Sequence, residues 1–223
     1  MPNDTIYSRQ LSILDPRRTD TKIVVIGCGG IGSVTIYLLS KMGFKNIVAY
    51  DPDTIEVENI PSQFFSFSQV GQSKVKAIKD TLGEHTGLSL AGHNKKYNGE
   101  LAPIIICAID SMNARHSIYN DFIKGKLAIR AYIDARMSGE NGRLYAFCPL
   151  EQRDTQNYET TLYTDEQATP EPCTAKAIAY NTHFIGALIA SQVKNLVMQK
   201  PIPYEIIFDL SNYAVLNSPA RIL

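Results

Sequence analysis

An α/β fold with a mostly parallel sheet flanked by helices is predicted for this chain on three observations. Lys22 to Ile26 is a short, β-branched apolar run of the kind that fills a buried parallel strand. Gly27, Gly29 and Gly32 follow it in G-x-G-x-x-G spacing, and a second apolar run, Asn46 to Tyr50, ends at Asp51 about 20 residues later. A third run, IIICAID, ends at Asp110. Strand, glycine turn, helix, strand and acid in that order define a Rossmann-like unit.

Each element has a reason in its residues. Gly27 permits a tight strand-to-helix turn, Gly29 lets a phosphate approach the backbone, and Gly32 lets the helix lie close to the sheet. A helix from about Gly30 to Met42 would turn its free N–H groups and positive end toward phosphates. Asp51 at the carboxyl end of the second strand can accept from ribose hydroxyls. The alternative is a nucleotide-free strand, turn and helix of the same shape. The stretch after Asp51 is polar, broken by Pro52 and Pro61, and longer than an ordinary turn, as ligand-handling loops are. Its Phe64, Phe65 and Phe67 either plug the loop onto the core or line a pocket. Lys74 to Leu82 reads as a helix with Val75, Ile78 and Leu82 on one face. The next strand falls within Leu88 to His93 and is the weakest of the sheet signals.

Asp110 can either hold Mg²⁺ beside nucleotide phosphates or cap the helix that begins near Met112 and runs to Ile123. Two strands are expected around Arg136, then a polar, breaker-containing connection over 151–172 that is expected to include a mobile excursion. Beyond Cys173 a helical pattern resumes with Ile178, Ile185, Ile189 and Val193, and Gly186 is either a packing contact or a local weakness. Pro201 closes it, and EIIFDLSNYAVL reads as a C-terminal hairpin or paired strands. The organisation is an N-terminal helical arm, residues 1–20, and a single domain over 21–223.

Composition limits the function classes. Twenty-two basic residues balance 22 acidic ones, without a long basic block, which disfavours non-specific nucleic-acid binding. No secretion signal and no apolar run of membrane-spanning length are visible, so a cytoplasmic protein without a membrane partner is expected. Cys28, Cys107, Cys148 and Cys173 form no C-x-x-C pair, against a structural zinc site or a disulfide scaffold. Cys28 and Cys107, in apolar surroundings, read as small core residues.

The segments YSRQLSIL, GCGGIGS, YDPDTIEVENI, VGQSKV and CAIDSMNAR together make the chain resemble the ThiF/MoeB/E1-like superfamily over most of its length. These are adenylyltransferases that activate ubiquitin-like or sulfur-carrier proteins at a C-terminal glycine. The resemblance implies an ATP site with Mg²⁺, with Gly27, Gly29, Gly30 and Gly32 cradling the nucleotide, Asp51 on the ribose, Lys74 on phosphate and Asp110 at the magnesium. It matches Asn59 to a polar residue in the loop after the ribose acid. It matches Arg9 to an arginine that reaches into a partner subunit's site, and so implies a homodimer.

Two positions depart from the family pattern. Ser62 stands in IPSQ where many relatives carry an arginine. Arg136, or secondarily Arg115, is the candidate replacement, against an ordinary ion pair for either. The paired zinc cysteines of many relatives are missing, which places the chain in a compact, zinc-free branch. Cys173, at a helix start, is either a structural cysteine or a nucleophile that takes an acyl adenylate to a thioester. The other readings are adenylation of a peptide or other small carboxylate, an E1-like interaction scaffold with reduced chemistry, and an NAD-binding oxidoreductase.

Overall fold

The computed structural model describes residues 6–164, 166 and 177–223. Ile23–Ile26 (β1) and Ile47–Tyr50 (β2) are buried throughout, Ala91–His93 (β3) is short and more exposed, and Ile104–Cys107 (β4) is again buried throughout. Ala131–Ser138 (β5), Asn141–Phe147 (β6), Ile202–Pro203 (β7), Glu205–Asp209 (β8), Ala214–Asn217 (β9) and Ala220–Arg221 (β10) complete the strands. Eight of them form one sheet in the order β3-β2-β1-β4-β5-β6-β8-β9, and β7 pairs with β10 in a small second sheet. From β3 to β5 every pairing is parallel. From β5 to β9 every pairing is antiparallel.

The chain order reverses between β1 and β4, since β2 and β3 lie on one side of β1 and β4 on the other. Such a switch leaves a crevice beyond the carboxyl ends of the two strands, where open α/β sheets bind ligands.

Gly30–Lys41 (α1), Lys74–Thr86 (α2), Met112–Ile118 (α3), Gln152–Glu159 (α4) and Ala179–Val197 (α5) cover the sheet. One face buries Val25, Ile36, Ile78 and Ile189 in an aliphatic core shared by α1, α2 and α5. The other buries Tyr119, Ile123, Tyr132 and Tyr158 in an aromatic core under α3 and α4. Gly186 is a packing contact: a Cβ there would lie 2.7 Å from Val34 Cγ1, so α5 sits directly on α1.

The expected helix Met112 to Ile123 is α3 followed by a π-helical turn, Tyr119–Ile123. In IIICAID the strand stops at Cys107, and Ala108 to Asp110 form the loop into α3. Among the described residues of the arm, Ser8–Gln10 and Pro16–Arg18 are three-residue 3-10 turns. The 151–172 connection contains α4, which its polar sequence concealed. Tyr158 is fully buried there, a contribution of about 1.5–3 kcal/mol for a large side chain. Cys173 lies outside the described residues.

Candidate functional site

The glycine turn separates what the fold needs from what a ligand would need. Gly27 has φ +94°, and a Cβ on it would stand 2.6 Å from the Ala108 carbonyl oxygen. A Cβ on Gly32 would stand 1.9 Å from the Gly27 oxygen, and one on Gly30 would stand 2.9 Å from Thr182 Cγ2. Those three are demanded by packing. Gly29 alone faces open space, its nearest neighbour being Gln63 Nε2 at 4.0 Å. It is also the N-cap of the 12-residue α1, where free N–H groups and the helix dipole favour an anion.

Asp51 closes the turn from the β2 side. Its carboxylate accepts from Cys28 N at 2.6 Å and from Asp53 N at 2.8 Å, and the residue is 5% exposed. Burial pushes its pKa up, opposed by those two backbone hydrogen bonds and by the charge of Lys74. A carboxylate accepts about four hydrogen bonds, so capacity remains for a ribose hydroxyl. Cys28 itself is fully buried and burial pushes its thiol pKa well up, as befits a core residue.

Lys74 begins α2 under the Ser73 cap, and its Nζ donates to Asp53 Oδ2 at 3.0 Å. With Pro52, Asp53, Thr54, Glu56 and Asn59 it lines a groove of about 440 Å³, within the range of small-ligand sites. Asn59 accepts from Glu56 N at 3.1 Å in a capping box, which fixes its side chain on that wall. In the same loop Phe65 is buried and Phe64 stacks on Tyr37 at 4.1 Å, while Phe67 is exposed. The first two plug the loop onto the core.

Asp110 is exposed, three residues past β4, on a loop that rests against Gly27. Its capping alternative is taken by another residue: Ser111 caps α3, its Oγ accepting from Ala114 N at 3.1 Å. Among the described residues no group of three or more His, Cys, Asp or Glu side chains could hold a metal by itself. A single carboxylate beside such a turn does suit Mg²⁺, which keeps several waters and binds through one or two carboxylates plus a ligand's phosphate oxygens.

Arg136 and Arg115, the candidates to replace the arginine missing at Ser62, are both engaged within the protein. Arg136 Nε donates to Asp134 Oδ2 at 2.8 Å, its terminal nitrogens reach Thr161, and its guanidinium lies over Tyr145 and Tyr158. Arg115 is 2% exposed and ion-paired with the fully buried Asp134. Both belong to the aromatic face, whereas Ser62 backs onto Gly30 beside Thr182 on the α1–α5 face. The residue nearest the open glycine is instead Gln63, whose buried Oε1 has no hydrogen-bond partner. No spacing rule pointed to Gln63 or Asp53; only adjacency to Ser62 and Asp51 could have suggested them.

Arg9 is exposed on the arm. The arm is docked at the far end of α1, where Gln10 Nε2 donates to Met42 O at 2.8 Å and the Tyr7 ring lies 3.0 Å from a Cβ built on Gly43. Twelve residues of helix, roughly 18 Å, lie between that end and the glycine turn.

A glycine turn at the switch of the sheet, an acid at the end of the second strand and a lysine at the head of the next helix make up a Rossmann-like α/β unit. The ThiF family model matches residues 7–218, and the chain belongs to that family, within the E1-like adenylyltransferase superfamily. The NEDD8-activating enzyme E1 catalytic subunit of Caenorhabditis elegans is 36% identical over 107 residues, 44% of this chain and 25% of that protein. Ubiquitin-like modifier-activating enzyme 5 of Caenorhabditis briggsae is 38% identical over 63 residues, 28% of this chain and 15% of that protein. The matches thus span about a quarter or less of these curated relatives. Escherichia coli MccB, solved with ATP, shares the fold at TM-score 0.73 and 19% identity, over 99% of this chain and 73% of that one. PaaA does so at TM-score 0.74 and 17% identity, over 99% and 75%. Among the described residues no helix is long and apolar enough to cross a membrane.

Proposed function

We propose that this protein uses MgATP to adenylate a carboxylate at the end of a peptide or small protein. What supports the reading is a ThiF-family chain in which Asp51 accepts from Cys28 N in the glycine turn, Lys74 pairs with Asp53 beside it, and the loop that carries Asp110 packs on Gly27. A peptide or other small carboxylate is favoured over the expected ubiquitin-like C-terminal glycine. Structural likeness to MccB, a microcin C7 biosynthetic enzyme solved in complex with N-formylated MccA, runs along 99% of the chain, whereas sequence likeness to the NEDD8-activating enzyme E1 catalytic subunit of Dictyostelium discoideum covers 48% of it.

The chemistry asks for positioning and charge neutralisation. A carboxylate is ionised at neutral pH and needs no base, so its oxygen attacks the α-phosphorus in line as the bond to the β-phosphate oxygen breaks. The electron pair leaves on pyrophosphate. Asp51 holds the ribose, the N–H groups at the head of α1 receive phosphate, and Lys74 turns from Asp53 to the phosphates as their charge arrives. Asn59 supplies a polar contact on the groove wall. Asp110 would hold Mg²⁺, which neutralises charge on the departing pyrophosphate. Arg9, a helix length from its own turn, acts across a homodimer in this reading.

ATP–pyrophosphate exchange tests the proposal. Short peptides with free C-termini and carrier proteins ending in glycine are compared with their C-terminal amides. Exchange that requires a free carboxylate and is lost in Asp110→Ala is expected. Retained NAD that ATP fails to displace would sink the reading in favour of an oxidoreductase, and carrier binding without exchange would leave an interaction scaffold.

A further inference from the structure

Arg115 is the largest of the fully buried side chains, and its hydrogen bonds converge on the loop that carries Asp110. One terminal nitrogen donates to the carbonyl oxygen of Ile109, the residue immediately before Asp110, and to Ala135 O at 3.4 Å. The other pairs with Asp134 and lies 3.7 Å from Cys107 Sγ, at the end of β4. Asp134 is held in turn by Arg136 at 2.8 Å and by the Tyr158 hydroxyl at 3.0 Å. From the other side Gly27 packs on the same loop, against Ala108 O and Ile109 Cγ2. Ala108 to Asp110 is therefore gripped between the glycine turn and a guanidinium fork.

We infer that Arg115, fixed by Asp134, is the positioning residue for Asp110, setting the carboxylate where Mg²⁺ on the ATP phosphates can be bound. The inference rests on the adenylation reading. The argument is geometric. A guanidinium offers five donors in a rigid plane, enough to bind a carboxylate and a loop carbonyl together, whereas a lysine ammonium keeps the charge opposite Asp134 and loses the fork. Asp110 is exposed and its loop, Ala108 to Ser111, is only four residues long, so the adjacent peptide controls where its carboxylate points. The same network ties α4, through Tyr158, and Thr161, through Arg136, to Asp134.

The test is ATP affinity of the full chain with and without Mg²⁺, measured by calorimetry alongside thermal melting. In wild type, Mg²⁺ should tighten ATP binding. In Arg115→Lys the Mg²⁺ concentration giving half of that tightening should rise about tenfold, the loss expected for one charge-assisted hydrogen bond, while Mg²⁺-free ATP affinity stays within about twofold. Asp134→Asn should shift the Mg²⁺ requirement in the same direction and serves if the lysine variant does not fold. In an Asp110→Asn background, adding Arg115→Lys should change the Mg²⁺ response no further. Equal losses with and without Mg²⁺, an unmoved Mg²⁺ requirement, or a further loss in the Asp110→Asn background would overturn the clamp. A wild-type chain that fails to bind ATP would overturn the adenylation reading and the clamp with it.

Discussion

The parallel part of the sheet, β3 to β5, and the antiparallel part, β5 to β9, both carry buried charge and use it in opposite ways. Asp134 in β5 meets Arg115, Arg136 and the Tyr158 hydroxyl, all of them protein side chains of the aromatic face. Asp51 after β2 is nearly as buried, yet it meets only two backbone N–H groups, and Lys74 opposite it has a single, 61%-exposed carboxylate partner. Charge matched by buried side chains in the structural network, and by backbone N–H groups and a solvent-facing carboxylate at the crevice, distinguishes the two regions.

That contrast can be broken by substitution, most severely at Asp134. Asp134→Ala strands two cations, and removing one member of a buried ionic network costs about 3–5 kcal/mol. For a chain of this length, thermal melting should show a loss of roughly 10 °C. A melting point close to wild type would erase the distinction between the two regions. Next come the glycines. Gly32→Ala drives a Cβ onto the Gly27 oxygen and should cost about 1–3 kcal/mol of stability in denaturant titration. Gly29→Ala, in open space, should leave stability within about 1 kcal/mol while weakening ATP binding. Equal behaviour of the two would show that Gly29 is not reserved for phosphate. Lys74→Ala should weaken ATP binding about 10- to 100-fold in equilibrium dialysis with little change in melting point, because its ion-pair partner Asp53 is largely solvated.

The smallest effect is expected in the pH response of Asp51. Burial raises its pKa, so the folded protein holds the proton more readily than the unfolded chain. Its contribution to stability is full below the unfolded aspartate value of about 3.9 and is lost as pH rises through the folded value. At neutral pH Asp51→Asn should therefore cost no melting temperature. Wild-type ATP affinity should fall on acidification at a pH above that ordinary value, and Asp51→Asn should flatten this limb of the profile. A limb that survives the substitution would assign it to another group.

How much was legible in the sequence follows the same division. β1, the glycine turn, α1 and β2 are local rules written in consecutive residues, so Gly27 to Asp51 could be placed from spacing, and Lys74 followed from the resemblance at VGQSKV. Arg136 lies within β5, whose alternation puts it on the same side as Asp134, and its other partner, Thr161, follows α4, an element the sequence does not announce. α4 itself was hidden because its polar sequence owes its place to Tyr158 rather than to an apolar stripe. Ser111 as the cap that relieves Asp110 of that role is readable from the serine before Met112, but the competing aspartate obscured it. The open space at Gly29 needed coordinates, since sequence spacing makes all the glycines of the turn look alike.

The most direct test follows one oxygen atom. A peptide that supports exchange is supplied with heavy oxygen in its C-terminal carboxylate, the acyl product is trapped with hydroxylamine, and AMP is weighed by mass spectrometry. Attack of the carboxylate on the α-phosphorus predicts one heavy oxygen in AMP. AMP without the label, formed in step with the trapped product, would contradict the account.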